Sequence, residues 1–176
     1  NRAFPTAARA VAVGALASNL WAFAAGQRPD WLIDLHEGTD YNRQTNRSVG
    51  SSVIACSDPE ARAAAATMQA AVNATLTNAT RHFTLLEPPV EGSLARAAGA
   101  CLGARALIAE TTVKGQPLSA RARQHRVMAH ALLSRFGMLD ARVTPEWMTP
   151  RVGEPGVALR VAVYDGGGTG GAGGRQ

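Results

Sequence analysis

Trp31-Leu32-Ile33-Asp34-Leu35-His36-Glu37-Gly38 couples an almost unbroken apolar run to an abrupt polar end. A short apolar run of this kind reads as a strand over Trp31–Leu35 that is buried on both faces. Polar residues continue from His36 to Ser48. On the upstream side Gln27-Arg28-Pro29-Asp30 marks a turn, preceded by an Ala-rich stretch from Ala7 to Ala25. Arg2 and Arg9 ahead of that stretch imitate a signal peptide, but Ser18, Asn19 and Trp21 interrupt it. The helical spacing of Val11, Ala15, Leu20 and Phe23 predicts an amphipathic helix of the folded domain instead.

Downstream the same alternation repeats. Ser51 to Ala55 reads as a second strand, and Asp58-Pro59-Glu60 opens a helix with Asp58 as its N-cap, running to about Asn78. Arg81 to Leu86 reads as a strand broken by Pro88-Pro89, and Ser93 to Leu102 as a short helix. Ala104 to Thr112 is another buried strand, followed by a helix from Pro117 whose apolar side is Leu118, Val127, Met128, Leu132 and Phe136, stopped at Gly137. Strands alternating with helices predict an α/β fold whose mixed sheet is mostly parallel and flanked by helices. Residues 1–143 form this domain. The Pro- and Gly-rich residues 144–156 read as a linker, and residues 157–176 as either the start of a second domain or a Gly-rich tail.

The chain has 176 residues with a formal charge of +5; at 46% hydrophobic and 18% charged it lies outside the disordered class. No run approaches the ~20 apolar residues of a membrane span, so no membrane is expected. Cys56 and Cys101 form no Cys-x-x-Cys pair, which excludes a disulfide framework and a four-thiolate zinc site. The basic residues, all Arg but for Lys114, are scattered, and the helix bearing Arg121, Arg123, His125, Arg126 and Arg135 reads as a solvated outer face. Nucleic acid is not an expected partner.

In open α/β sheets ligands bind beyond the carboxyl ends of strands, so polar residues that end buried strands are the first candidates. His36 ends the first strand beside Asp34 and Glu37, and Glu110 interrupts the apolar end of the last. A buried carboxylate is costly unless paired, and burial tends to raise its pKa towards general-base range.

Asn1-Arg2-Ala3-Phe4-Pro5, a strand ending in Asp34-Leu35-His36, and a strand ending in Glu110 with Leu118-Ser119-Ala120-Arg121 after it resemble, in this order, the zinc carboxypeptidase family with its succinylglutamate desuccinylase and aspartoacylase relatives. His36 and Glu110 lie 74 residues apart, about the family's separation. The resemblance implies the family's α/β fold and zinc as cofactor. It implies that His36 is a metal ligand oriented by Asp34, that Glu110 is the general base, and that Asn1 and Arg2 grip the terminal carboxylate of a peptide C-terminus or an N-acyl amino acid. Tyr41, Arg43 and Arg47 follow His36 in the loop; Tyr41 and Arg43 are taken as substrate-facing, against the alternative of a solvated loop.

The chain departs from the family in one respect. The family's first two zinc ligands come from a His-x-x-Glu motif ahead of Asn-Arg, as does an oxyanion-stabilising arginine, and this sequence contains no His-x-x-Glu. His125 and His130 cannot replace it, being about 140° apart around a helix. The resemblance therefore implies a later part of a catalytic domain, with early strands of the sheet upstream and an apolar edge where they pack. Arg160 to Gly168 resembles the first strand and turn of a glutamine-amidotransferase-like domain. The expected function is zinc-dependent hydrolysis of an amide bond beside a free carboxylate by a metallocarboxypeptidase. An N-acyl amino acid deacylase of the same family, and a catalytically silent binding module of the same fold, are the alternatives.

Overall fold

The computed structural model describes residues 2–45, 47–139 and 143–144. Asn1, most of the expected linker and the expected second domain lie outside the described residues. The elements run α1 (Ala15–Gln27), β1 (Trp31–Gly38), β2 (Ser52–Ala55), α2 (Pro59–Asn73), β3 (Thr84–Leu86), α3 (Leu94–Ala97), β4 (Arg105–Thr112) and α4 (Leu118–Arg135). The strand order is β1-β4-β2-β3. β1 runs parallel to β4 and β2 parallel to β3, while β2 and β4 are antiparallel. The mostly parallel mixed sheet expected from the sequence is thus the one formed.

Helices cover both faces of the sheet. α2 begins where expected because the Asp58 carboxylate accepts from the Ala61 N–H at 2.9 Å and Pro59 has no N–H to leave unpaired. Its inner side is Ala61, Ala64, Ala65, Met68 and Val72, small enough for a close approach to the sheet, and it shares one core cluster with Val53 and Ile54 of β2 and Ala106–Ala109 of β4. Val127, Met128 and Leu132 of α4 join the same core. A second cluster of Phe4, Ala24, Leu94 and Ala97, with Trp21 and Leu32 against it, seats α1 and α3 on the other face.

Two boundaries and two helix faces differ from expectation. α1 begins at Ala15 because Thr6 and Arg9 bridge each other in a small loop and Gly14 turns at φ 89°. It is not amphipathic in the sense expected: Ala17, Trp21 and Ala24 pack inward, while Leu20 and Phe23 face out with Phe23 66% exposed. α2 stops at Asn73, whose side chain is taken up by the backbone of Phe83, accepting from its N–H at 2.7 Å and donating to its carbonyl at 3.1 Å. In α4, Leu118 is exposed rather than part of the apolar side, since the helix meets the sheet further along.

Phe83 is fully buried in the core cluster that α2, α4 and the sheet share. Phe83→Ala is expected to destabilise the chain by about 3–5 kcal/mol through lost burial and a residual cavity, against less than about 0.5 kcal/mol for Leu118→Ala. Urea denaturation of the two variants measures the contrast.

Candidate active site

Each pair of neighbours across β1 and β4 is set by the parallel register, which places His36 beside Glu110 and Asp34 beside Ile108. Side chains alternate along a strand, so Leu32, Asp34, His36 and Glu110 share one face of the sheet. Leu32 packs against α1 and α3, so this face is theirs too. Ser52 of β2 flanks Glu110 on its other side.

Glu110 is only 6% exposed. Its Oε1 lies 3.6 Å from His36 Nδ1, and Asp34 Oδ1 lies 2.9 Å from His36 Nε2. The imidazole is therefore held between two carboxylates. The Asp34 hydrogen bond first, then that to Glu110, pushes the His36 pKa up to about 10 against the opposing cost of burial. Asp34 Oδ2 is buried and without a hydrogen-bond partner among the described residues.

This donor set does not make a zinc site by itself. The two carboxylates face opposite nitrogens of one ring and do not converge on a point, and among the described residues no group of three or more His, Cys, Asp or Glu is placed to hold a metal ion. Zinc ligation takes the neutral ring, whereas the two flanking carboxylates favour the protonated one.

The loop after β1 is ordered by its own polar groups. Asp40 N–H donates to Ser48 Oγ at 3.0 Å, Ser48 Oγ donates to the Asp40 carbonyl at 2.7 Å, and the Asn42 N–H donates to Gly50 O at 2.8 Å. The Lys114 ammonium, 2.6 Å from Asp40, is the main cause that lowers the Asp40 pKa. Gly38 and Gly50 pass so closely that a Cβ on Gly38 would sit 2.5 Å from Gly50 N. Tyr41, taken as substrate-facing, is buried in this loop with the Arg81 guanidinium 5.7 Å from its ring centre. Arg43 and Arg47 are exposed.

Arg2 lies in an exposed segment fastened just beyond it. Phe4 is buried on the α1 and α3 face, its N–H donates to Gly92 O at 2.9 Å, and the Arg9 guanidinium donates to the carbonyls of Arg2 and Phe4 at 3.2 and 2.8 Å. The structure thus brings the Arg2 segment to the face that carries His36 and Glu110.

The expectation for α4 as a solvated outer face is overturned for its first two turns. Arg121 and His125, one turn apart, point inward to the strand ends: the Arg121 side chain is 14% exposed and paired with Glu37, and His125 Nε2 lies 3.2 Å from Thr111 Oγ1. Burial pushes the His125 pKa below its ordinary value. The spacing of four was the available signal for this pair, and the abundance of arginine around it concealed it.

Comparison with protein-family models and with curated protein sequences finds no match. The fold does find matches: it is carboxypeptidase-like. The apo form of the cell shape determinant protein Csd4 from Helicobacter pylori superposes with a TM-score of 0.61 at 20% identity. The mDAP-bound form of the same protein, described as a D,L-carboxypeptidase, gives 0.59 at 19%, and its tripeptide-bound form 0.57 at 18%. Each match covers 73% of this chain but 36% of the Csd4 chain, so this chain spans about a third of those structures.

Gly92 adopts φ 82°, and a Cβ there would lie 2.9 Å from the Arg2 carbonyl oxygen. Gly92→Ala is expected to cost about 1–3 kcal/mol in strain and to release the Arg2–Phe4 segment. A lower melting temperature together with faster amide exchange at Phe4 measures both effects.

Proposed function

We propose that this chain is part of a peptidase-type hydrolase that cleaves an amide bond beside a free carboxylate, with Glu110 as general base. The observation that carries the reading is a buried glutamate at a strand end, in register with a histidine, in a fold similar to a D,L-carboxypeptidase. A carboxylate so placed takes a proton from the attacking water as its oxygen bonds to the carbonyl carbon, and returns it to the leaving amine as the C–N bond breaks. Arg2, planar and bidentate, suits the substrate carboxylate, and we assign the same role to Asn1, which precedes it in the sequence. The tripeptide- and mDAP-bound neighbours support a peptide over an N-acyl amino acid as the substrate class.

For zinc we propose that His36 gives one ligand and that the others come from polypeptide outside the described residues. The exposed apolar surface supports further structure of this kind. β1 pairs on one side only among the described residues, Leu35 on it is 54% exposed, and Leu16, Leu20 and Phe23 of α1 are exposed as well. Such an apolar strand is typical of a sheet interior rather than an edge. We assign as its cover further strands and helices of the same fold, since the neighbouring structures are almost three times as long as the part matched.

Two measurements test these readings. In a polypeptide extended upstream of Asn1 by about a hundred residues, the scale of the rest of a domain, zinc is expected near one per chain, against none for this chain alone. There Glu110→Gln should keep zinc and lose about 10²–10⁴-fold in turnover of peptides with a free C-terminus, and His36→Ala should lose the metal too. Absence of zinc from both polypeptides would point to a silent binding module. The apolar cover is tested by Phe23→Asp, which should be near neutral in this chain and cost about 2–4 kcal/mol in the longer one.

A further inference from the structure

Behind the strand ends, on the face opposite His36 and Glu110, four side chains meet. Thr111 follows Glu110 on β4 and is fully buried; its hydroxyl lies 3.2 Å from His125 Nε2 and 3.4 Å from both the His36 carbonyl oxygen and Glu37 Oε1. Glu37 follows His36 on β1 and is bonded to the Arg121 guanidinium. Arg121 and His125 belong to α4 and Thr111 to β4, so one cluster ties the first turns of that helix to the ends of two strands. His125 Nδ1 is buried and has no hydrogen-bond partner among the described residues. The neutral ring therefore carries its proton on Nε2, which donates to the Thr111 oxygen and leaves the hydroxyl proton for the His36 carbonyl or for Glu37.

β1 needs such a tie. On its other side it has no strand among the described residues, so its last residues are held by β4 and by whatever grips Glu37 and the His36 carbonyl. A strand end that pivots carries its side chains with it, and the His36 ring meets Glu110 at 3.6 Å, where a small tilt decides whether the two groups touch. We infer that Thr111, Glu37, Arg121 and His125 are positioning residues that latch the end of β1 to α4 and so set His36 against Glu110. The inference rests on the reading of His36 and Glu110 as the chemical centre, but its test does not use turnover.

The full chain, 15N-labelled at histidine, is observed through the ring signals of His36. His82 serves as reference, because its ring is bonded to the Leu76 carbonyl at 2.9 Å and has no part in the cluster. Thr111→Val removes the hydroxyl at nearly constant shape, and Thr111→Ser restores it. The Val variant is expected to shift the His36 signals and leave those of His82 in place, with the Ser variant close to the native spectrum. Arg121→Gln, changed at the rim of the cluster, is expected to shift His36 in the same sense, and it alone decides the matter should Thr111→Val fail to fold. Unmoved His36 signals in the variants that fold, or equal shifts of His36 and His82, overturn the proposal. The signals are read without substrate, so either result stands whether or not Glu110→Gln abolishes hydrolysis in the longer polypeptide.

Discussion

The parallel pairing of β1 with β4 is the constraint from which the candidate site follows. It is fixed from both ends, by the Arg105 N–H on the Asp30 carbonyl at 2.9 Å and by the Val113 N–H on the Gly38 carbonyl at 3.0 Å. A slip of one residue would turn His36 to the α4 face and Glu37 to the face of Glu110. Ala106–Ala109 is buried on both sides, so a slip of β4 would also exchange which apolar residues meet α2 and which meet α3. The register that packs the core is the same one that brings the imidazole beside the buried carboxylate.

Burial makes that neighbourhood mutually dependent. A carboxylate as enclosed as Glu110 requires a partner of opposite charge or several donors. Within the described residues the partner is His36, which Asp34 in turn holds from the other ring nitrogen. The three groups thus satisfy one another and leave one buried oxygen, Asp34 Oδ2, without a bond. The arrangement ties the strand ends together as an ion cluster.

What the sequence disclosed and what it concealed divide along physical lines. Continuous apolar runs such as Trp31–Leu35 and Ala104–Ala109 announce strands, and the polar residue that ends each marks the candidate site. The two-face burial expected of both holds for Ala106–Ala109, whereas Trp31–Ile33 is only half-buried and Leu35 is exposed among the described residues. Asp58-Pro59 locates a helix start to the residue, because capping is local chemistry. The direction of β2 is not local: Ser52–Ala55 is buried throughout, and four such residues are compatible with either orientation against β4. The burial of Tyr41 was hidden for a similar reason. It depends on Gly38 and Gly50 passing at close range, a contact between residues twelve apart that no periodicity records.

Helices α1 and α4 misled in opposite ways, and the cause is common to both. Periodicity identifies a helix face by contrast, yet α1 is apolar nearly all round and α4 is basic on several sides, so neither sequence shows which side meets the sheet. For α4 the tie is broken by Glu37 and Thr111, polar groups near a strand end that favour Arg121 and His125 over a further apolar layer. For α1 the small residues Ala17 and Ala24 turn inward because they permit close approach to Leu94 and Ala97, which leaves Leu20 and Phe23 outside. A helix that leaves Leu16, Leu20 and Phe23 exposed on the side away from its own cluster has an apolar outer side, and the open side of β1 has one as well. The two features agree in direction: both suit the cover of further strands and helices proposed above.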